Sequence, residues 1–183
     1  MGKVKAAKPA VSGGAYNAPK GTTLPTDATT ALASAFKLMG YASEDGLVNT
    51  WSKESTEKKA WGGETVLVMQ NGVTDTFKIT LIEATNEDLL KVVYGSGNVS
   101  GALSTGLDVE ALTDESIESV WVFDMKLGAA LKRIVVPRGV ITEIGDITYK
   151  DSEAVGYSLT ITALPDDDSS SNGATHYEYM KEA

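Results

Sequence analysis

The chain has 183 residues, no cysteine and one histidine, and its 16 Lys and Arg stand against 25 Asp and Glu for a formal net charge of −9. A chain of this length fits one domain that buries roughly two-thirds of its unfolded surface, and the missing cysteines exclude thiol catalysis, disulfide frameworks and thiolate zinc sites. The acidic balance argues against a protein that grips nucleic acid, which needs a basic stripe to neutralise phosphates.

Residues 1–21, "MGKVKAAKPAVSGGAYNAPKG", are rich in Gly, Ala, Pro and Lys and read as a flexible N-terminal arm. They hold no apolar stretch of a signal peptide, and no run of about 20 apolar residues follows anywhere, so a soluble, cytoplasmic product is expected. Lys3, Lys5, Lys8 and Lys20 supply the only basic bias. Residues 22–183 read as a single β domain. Asp27 is placed to cap a short helical turn in "ATTALASAF", which Gly40 would end. "SEDG" is a turn tetrad. "LVNTWSKEST" then alternates loosely, and "ETVLVMQ" is dense in β-branched and large apolar residues.

Asn71-Gly72 predicts a type I′ hairpin turn, because both central residues of that turn need positive φ. The return strand "VTDTFKITLIE" puts Val73, Phe77, Ile79 and Leu81 on one face together with Asp75, and Thr74, Thr76, Lys78 and Thr80 on the other. "ATNEDLLKVVYGSG" switches to helical spacing. Thr85 or Asn86 caps it, Glu87 and Asp88 occupy its first turn, and Gly95 and Gly97 stop it. "SIESVWVFDMKL" and "AALKRIVVPRG" predict a hairpin through "GA", and "GVITEIGDITYKD" and "AVGYSLTITALPD" predict another that turns near Lys150 to Glu153. Ser158, Thr160 and Thr162 oppose Leu159, Ile161 and Ala163, and "THYEYM" is a last short strand. About eight strands and one helix make a mostly-β domain, sandwich or barrel-like.

Reactive chemistry is scarce. His176, the lone histidine, reads as a surface residue on a terminal strand, since a catalytic base needs an oriented carboxylate and a nucleophile. "DDDSSSNG" lacks the ligand spacing of a calcium loop and reads as a solvated hairpin tip. "GSGNVSG" follows a helix instead of opening one, which makes it a helix stop and not a phosphate loop. The sequon Asn98-Val99-Ser100 has no meaning without secretion. Glu110, Asp114, Glu115 and Glu118 form an acidic cluster of the kind found in solvated loops. Trp51, Trp61 and Trp121 suit either a core or a protein interface. No enzyme, cofactor or metal site is predicted.

Three segments together resemble the major tail tube proteins of long-tailed, siphovirus-type bacteriophages: "GAYNAPKGTTLPTDATTAL" with "FKLMGYASEDGL", "KKAWGGETVLV" leading to "TDTFKITLIEATNEDLLKVVYG", and the closing "YSLTITALPDDDSSSNGATHYEY". The resemblance implies a β-sandwich flanked by a helix, synthesised in the bacterial cytoplasm and built into the virion tail. Its partners would be itself, as stacked homohexameric rings, with a tape measure protein and tail tip and terminator proteins. DNA would pass through the lumen without specific binding, and no membrane is involved. On this view the loop around "WSKESTEKKAWGG", with Trp51, Trp61 and the pivots Gly62 and Gly63, is the ring-stacking or subunit interface. Thr74, Thr76, Lys78, Thr80, Ser158, Thr160 and Thr162 are the polar lumen or outer face. Two alternatives stand beside it: a monomeric β-sandwich binding module on a virion or cell surface, and the tube subunit of a contractile injection system.

Overall fold

The computed structural model describes residues 4–9, 13–112, 117–168 and 170–182, and these form eleven strands and one helix. The strands are β1 (Ala7–Pro9), β2 (Ala15–Pro19), β3 (Lys37–Leu38), β4 (Ala42–Lys59), β5 (Thr65–Leu81), β6 (Val99–Ala102), β7 (Gly106–Val109), β8 (Ser119–Leu127), β9 (Ala130–Ile144), β10 (Tyr157–Ala163) and β11 (Tyr177–Glu182); the helix α1 is Glu87–Tyr94. Nine strands make one antiparallel sheet in the order β3-β2-β8-β9-β10-β5-β4, with β1 added to β8 and β11 to β9; β6 and β7 pair separately. The fold is mostly β, as the alternating segments predict.

The sheet branches at β9, whose first half pairs with β11 and whose second half pairs with β10 on the same side. It therefore folds over on itself. Phe77 of β5 stacks on Phe123 of β8 with ring centroids 5.8 Å apart, and Trp121 stacks beside Phe123 at 6.1 Å. Leu81, Leu159, Ile161 and Val136 complete this core, and α1 closes it with Leu89 and Leu90. Asn86 caps α1 by accepting from the backbone N–H of Asp88 and Leu89, and Gly95 ends it. The predicted parity holds: Phe77, Ile79 and Leu81 are buried with Asp75, and β10 buries Leu159, Ile161 and Ala163. The four consecutive buried residues Val120 to Phe123 mark a strand covered on both faces. Val120 and Val122 point into a second core with Ala18, Phe36 and Val135.

Several expectations are corrected. Asn71-Gly72 is not a turn but lies within β5. Glu54 pairs with Gly72 and Ser55 with Gln70, so Asn71 is the extra residue of a β-bulge, and its side-chain amide donates to the Thr56 hydroxyl. The chain reverses instead at Ala60–Glu64, where Ala60 N–H donates to the Glu64 carbonyl at 2.8 Å and Gly63 takes φ of 90°. The segment read as a stacking loop is thus the distal half of an extended hairpin. "SEDG" is an excursion inside β4, between the pairs Ala42–Leu81 and Leu47–Ile79.

"ATTALASAF" forms no helix. The Asp27 carboxylate caps Thr29 and Thr30 N–H at 2.6 Å each, but Arg133 takes the Asp27 and Thr30 carbonyls, which a helix would need for its own ladder. "AALKRIVVPRG" and the start of "GVITEIGDITYKD", read as members of two hairpins, form one strand, because Pro137 and Arg138 fall in a register shift between the pairs Trp121–Val136 and Ser119–Gly139. A bulge is where a sheet tolerates proline. β9 therefore pairs with both β8 and β10. In the segment read as an arm, Ala7–Pro9 and Ala15–Pro19 are strands against β8, and Ala15 and Ala18 are buried.

Candidate assembly surface

β4 and β5 run past the body of the domain as a two-stranded hairpin. Every residue from Val48 to Asn71 is exposed, and from Trp51 to the turn the hairpin is about 30 Å long at the usual strand rise. It is apolar on both faces. The bulge at Asn71 switches the parity of β5, so Val68 and Val73 share one face with Trp51, while Leu67 and Met69 lie on the other. Trp61 sits at the tip fully exposed, beside Gly62 and Gly63, and Trp51 is half exposed with the Lys53 ammonium 5.0 Å from its ring centroid. Trp121 belongs to the core. An isolated two-stranded ribbon is marginal in water, and these side chains bury little within one subunit.

The seven predicted polar positions come together on one sheet face. Ser158 pairs with Thr80, Thr160 with Lys78 and Thr162 with Thr76, and Thr74 continues the row opposite Ser52 of β4. Thr142 of β9 joins it through a hydroxyl contact of 3.0 Å with Thr162, and Thr160 donates to Glu143. The face is hydroxyl-rich, with Lys78 and Glu143 as charges of opposite sign.

At the root of the hairpin lies a group that sequence reasoning missed. The Asp75 carboxylate is 1% exposed and accepts from Asn49 Nδ2 at 2.7 Å and Thr175 Oγ1 at 2.6 Å, with His176 Nδ1 2.6 Å away. His176 also stands edge-on to Phe77. It is no free surface histidine but part of a pin that ties β4 and β5 to the start of the last strand. The available signal was an acidic residue at a core parity of β5, which requires a buried partner.

Two residues of the acidic cluster fall among the described ones, Glu110 and Glu118. Glu110 is exposed, and Asp114 and Glu115 lie outside the described residues. Glu118 is bound by Arg138 at 2.9 and 3.0 Å and by Lys20 at 2.7 Å, which hold its carboxyl down at about 2, Arg138 first. Lys20 also reaches Asp167 at 3.0 Å. Burial and then the hydrogen bond donated to Asp166 push the Tyr177 phenol up to about 12. No group of three or more His, Asp or Glu among the described residues is arranged to hold a metal, and no helix among them is long and apolar enough to cross a membrane.

Among the described residues the surface thus offers contact area and buried polar pins. A search of curated proteins finds no match. A family described as phage tail tube protein matches residues 5–179, nearly the whole chain. The chain belongs to the phage tail tube protein family, a family of tail structural subunits and not of enzymes.

Proposed function

We propose that the subunit builds the tail tube of a long-tailed phage as stacked hexameric rings whose lumen conducts DNA. The exposed hairpin carries this reading: Trp51, Trp61, Val66, Leu67, Val68 and Met69 are all at least 40% exposed on one protruding ribbon. A surface of that kind marks an assembly contact. The ribbon with Gly62 and Gly63 at its turn is the ring-stacking element, and subunit contacts along its length protect the free edge of β4. The hydroxyl face of β4, β5 and β10 lines the lumen. Hydroxyls and one balanced charge pair give phosphates no cationic row to hold, and a chain of net charge −9 repels them. The tape measure protein and the tail tip and terminator proteins are the expected partners inside and at the ends of the tube.

The test removes both distal strands together by replacing Glu54–Gly72 with a two-residue type I′ turn, which keeps the pair Lys53–Val73. The shortened chain is expected to fold and stay as small particles by negative-stain electron microscopy, at concentrations where the full chain gives hollow tubes with sixfold end views. Tubes of normal length from the shortened chain would remove the hairpin from ring stacking.

A further inference from the structure

A contact that repeats along an axis is head-to-tail, so the hairpin tip must seat on a different surface of the next copy. At the far end of the domain from the tip lies a groove of about 550 Å³ beneath α1. Its position follows from the chain path: β5 runs from the turn at Thr65 to Leu81, and α1 comes next, its last turn forming one wall. Ile144, at the end of β9, also lines it and is held through Leu159 to Ile79 near the same end of β5.

Leu112, Ile117 and Ile144 line the groove and are 57%, 76% and 42% exposed. Nothing among the described residues covers them. The charge is also complementary. Among the described lining residues Lys20, Lys37 and Lys91 outnumber Asp88 and Glu118, on a chain that is acidic overall. The distal hairpin from Glu54 to Glu64 has three glutamates against two lysines. We infer that the groove beneath α1 is the receptor for the Trp61 tip of a second copy of this chain, an inference that rests on the tube reading. A tryptophan seated in an apolar pocket behind a polar rim is the usual form of a dominant interface contact, and its large ring suits a groove of this size.

The chain has no cysteine, so single engineered thiols report cleanly. An Ala60→Cys chain, which keeps Trp61, is mixed under tube-forming conditions with Ile117→Cys and, separately, with Ala129→Cys in the exposed β8–β9 turn. Both mixtures are oxidised with diamide and resolved without reductant. The Ala60–Ile117 pairing is expected to yield at least roughly tenfold more mixed disulfide, because docked thiols meet at millimolar effective concentration. Equal yields in samples that contain tubes would overturn the groove assignment and leave the tube reading standing. An unsubstituted chain that never forms tubes would take down both. Should the cysteine chains not polymerise, the threshold concentration for tube growth is compared for Trp61→Ala, Ile117→Asp and the double variant. A shared seat makes the double variant no worse than the worse single one, and independent additive effects would overturn the inference.

Discussion

Replacing Asp75 by alanine removes the acceptor at the root of the hairpin. The carboxylate is fully enclosed and takes Asn49, Thr175 and His176 at 2.6 to 2.7 Å. A hydrogen bond to a charged group contributes about 1.5–3 kcal/mol, but the three do not add, because Asn49 is exposed and Thr175 and His176 are partly exposed, so they can turn to water once the carboxylate is gone. The cost is then that of one or two such bonds, about 2–5 kcal/mol. For a domain of this size each kcal/mol moves Tm by about 2–4 °C, so Asp75→Ala should melt roughly 10 °C below the parent. Asp75→Asn keeps one acceptor oxygen and adds a donor facing other donors, and should fall between the two. The assay is thermal unfolding at pH 7 by circular dichroism. A double cycle with His176→Ala should show coupling, since each substitution breaks the same pin. An Asp75→Ala chain that melts with the parent would refute the argument and leave the buried carboxylate with no structural task.

Acid should loosen the contact of Lys20, Glu118, Arg138 and Asp167. The folded pKa of Glu118 is depressed from the usual 4.5 to about 2, so its contribution is complete above pH 4.5 and is lost as pH falls from there towards 2. Asp167 is lowered in the same direction, chiefly by its hydrogen bond from Lys20. Glu118→Gln is expected to lower Tm at pH 6 and to flatten its fall between pH 5 and pH 2.5; parallel Tm curves for the two chains would count against this linkage. Gly13→Ala should destabilise by about 1–3 kcal/mol, because Gly13 has φ of 99° and a Cβ there would stand 2.1 Å from the Gly40 carbonyl oxygen. Gly21→Ala, with φ of 85° and open space around it, isolates the backbone part of that cost; equal denaturant midpoints for the two variants would show that the Gly40 contact is relieved without strain.

The elements that the sequence made legible are those whose signal is local and complete. The β5 and β10 parities follow from period-2 alternation, and α1 carries its cap at Asn86, its acidic first turn and its glycine stop within ten residues. The β8–β9 reversal at Gly128-Ala129 is equally local. The misread elements depend on partners far along the chain. The segment after Asp27 loses its helix to Arg133, more than one hundred residues away. Pro137 sits inside a strand because a bulge opposite Val120 accepts it. The Asp75 pin joins residues 101 apart to a strand that alternation alone leaves one-sided.

Asn71-Gly72 shows how such a partner decides between two structures that local preference cannot separate. Asn-Gly satisfies a type I′ turn and a bulge about equally well. A two-residue turn there would pair Gln70 with Val73 and so set Val68 against Asp75. The buried carboxylate would then face an isopropyl group and lose an amide donor, a loss of about 1–3 kcal/mol at a site closed to water. The register actually formed sets Thr50 against Thr76 and carries Asn49 Nδ2 to 2.7 Å from the Asp75 carboxylate. It also gives β5 a partner along nearly its whole length, from Thr65 to Leu81. The same choice produces the long hairpin, because a reversal at Asn71 would leave no ribbon to project. The position of one buried charge therefore fixes the register, and the register creates the surface through which the subunit is proposed to stack.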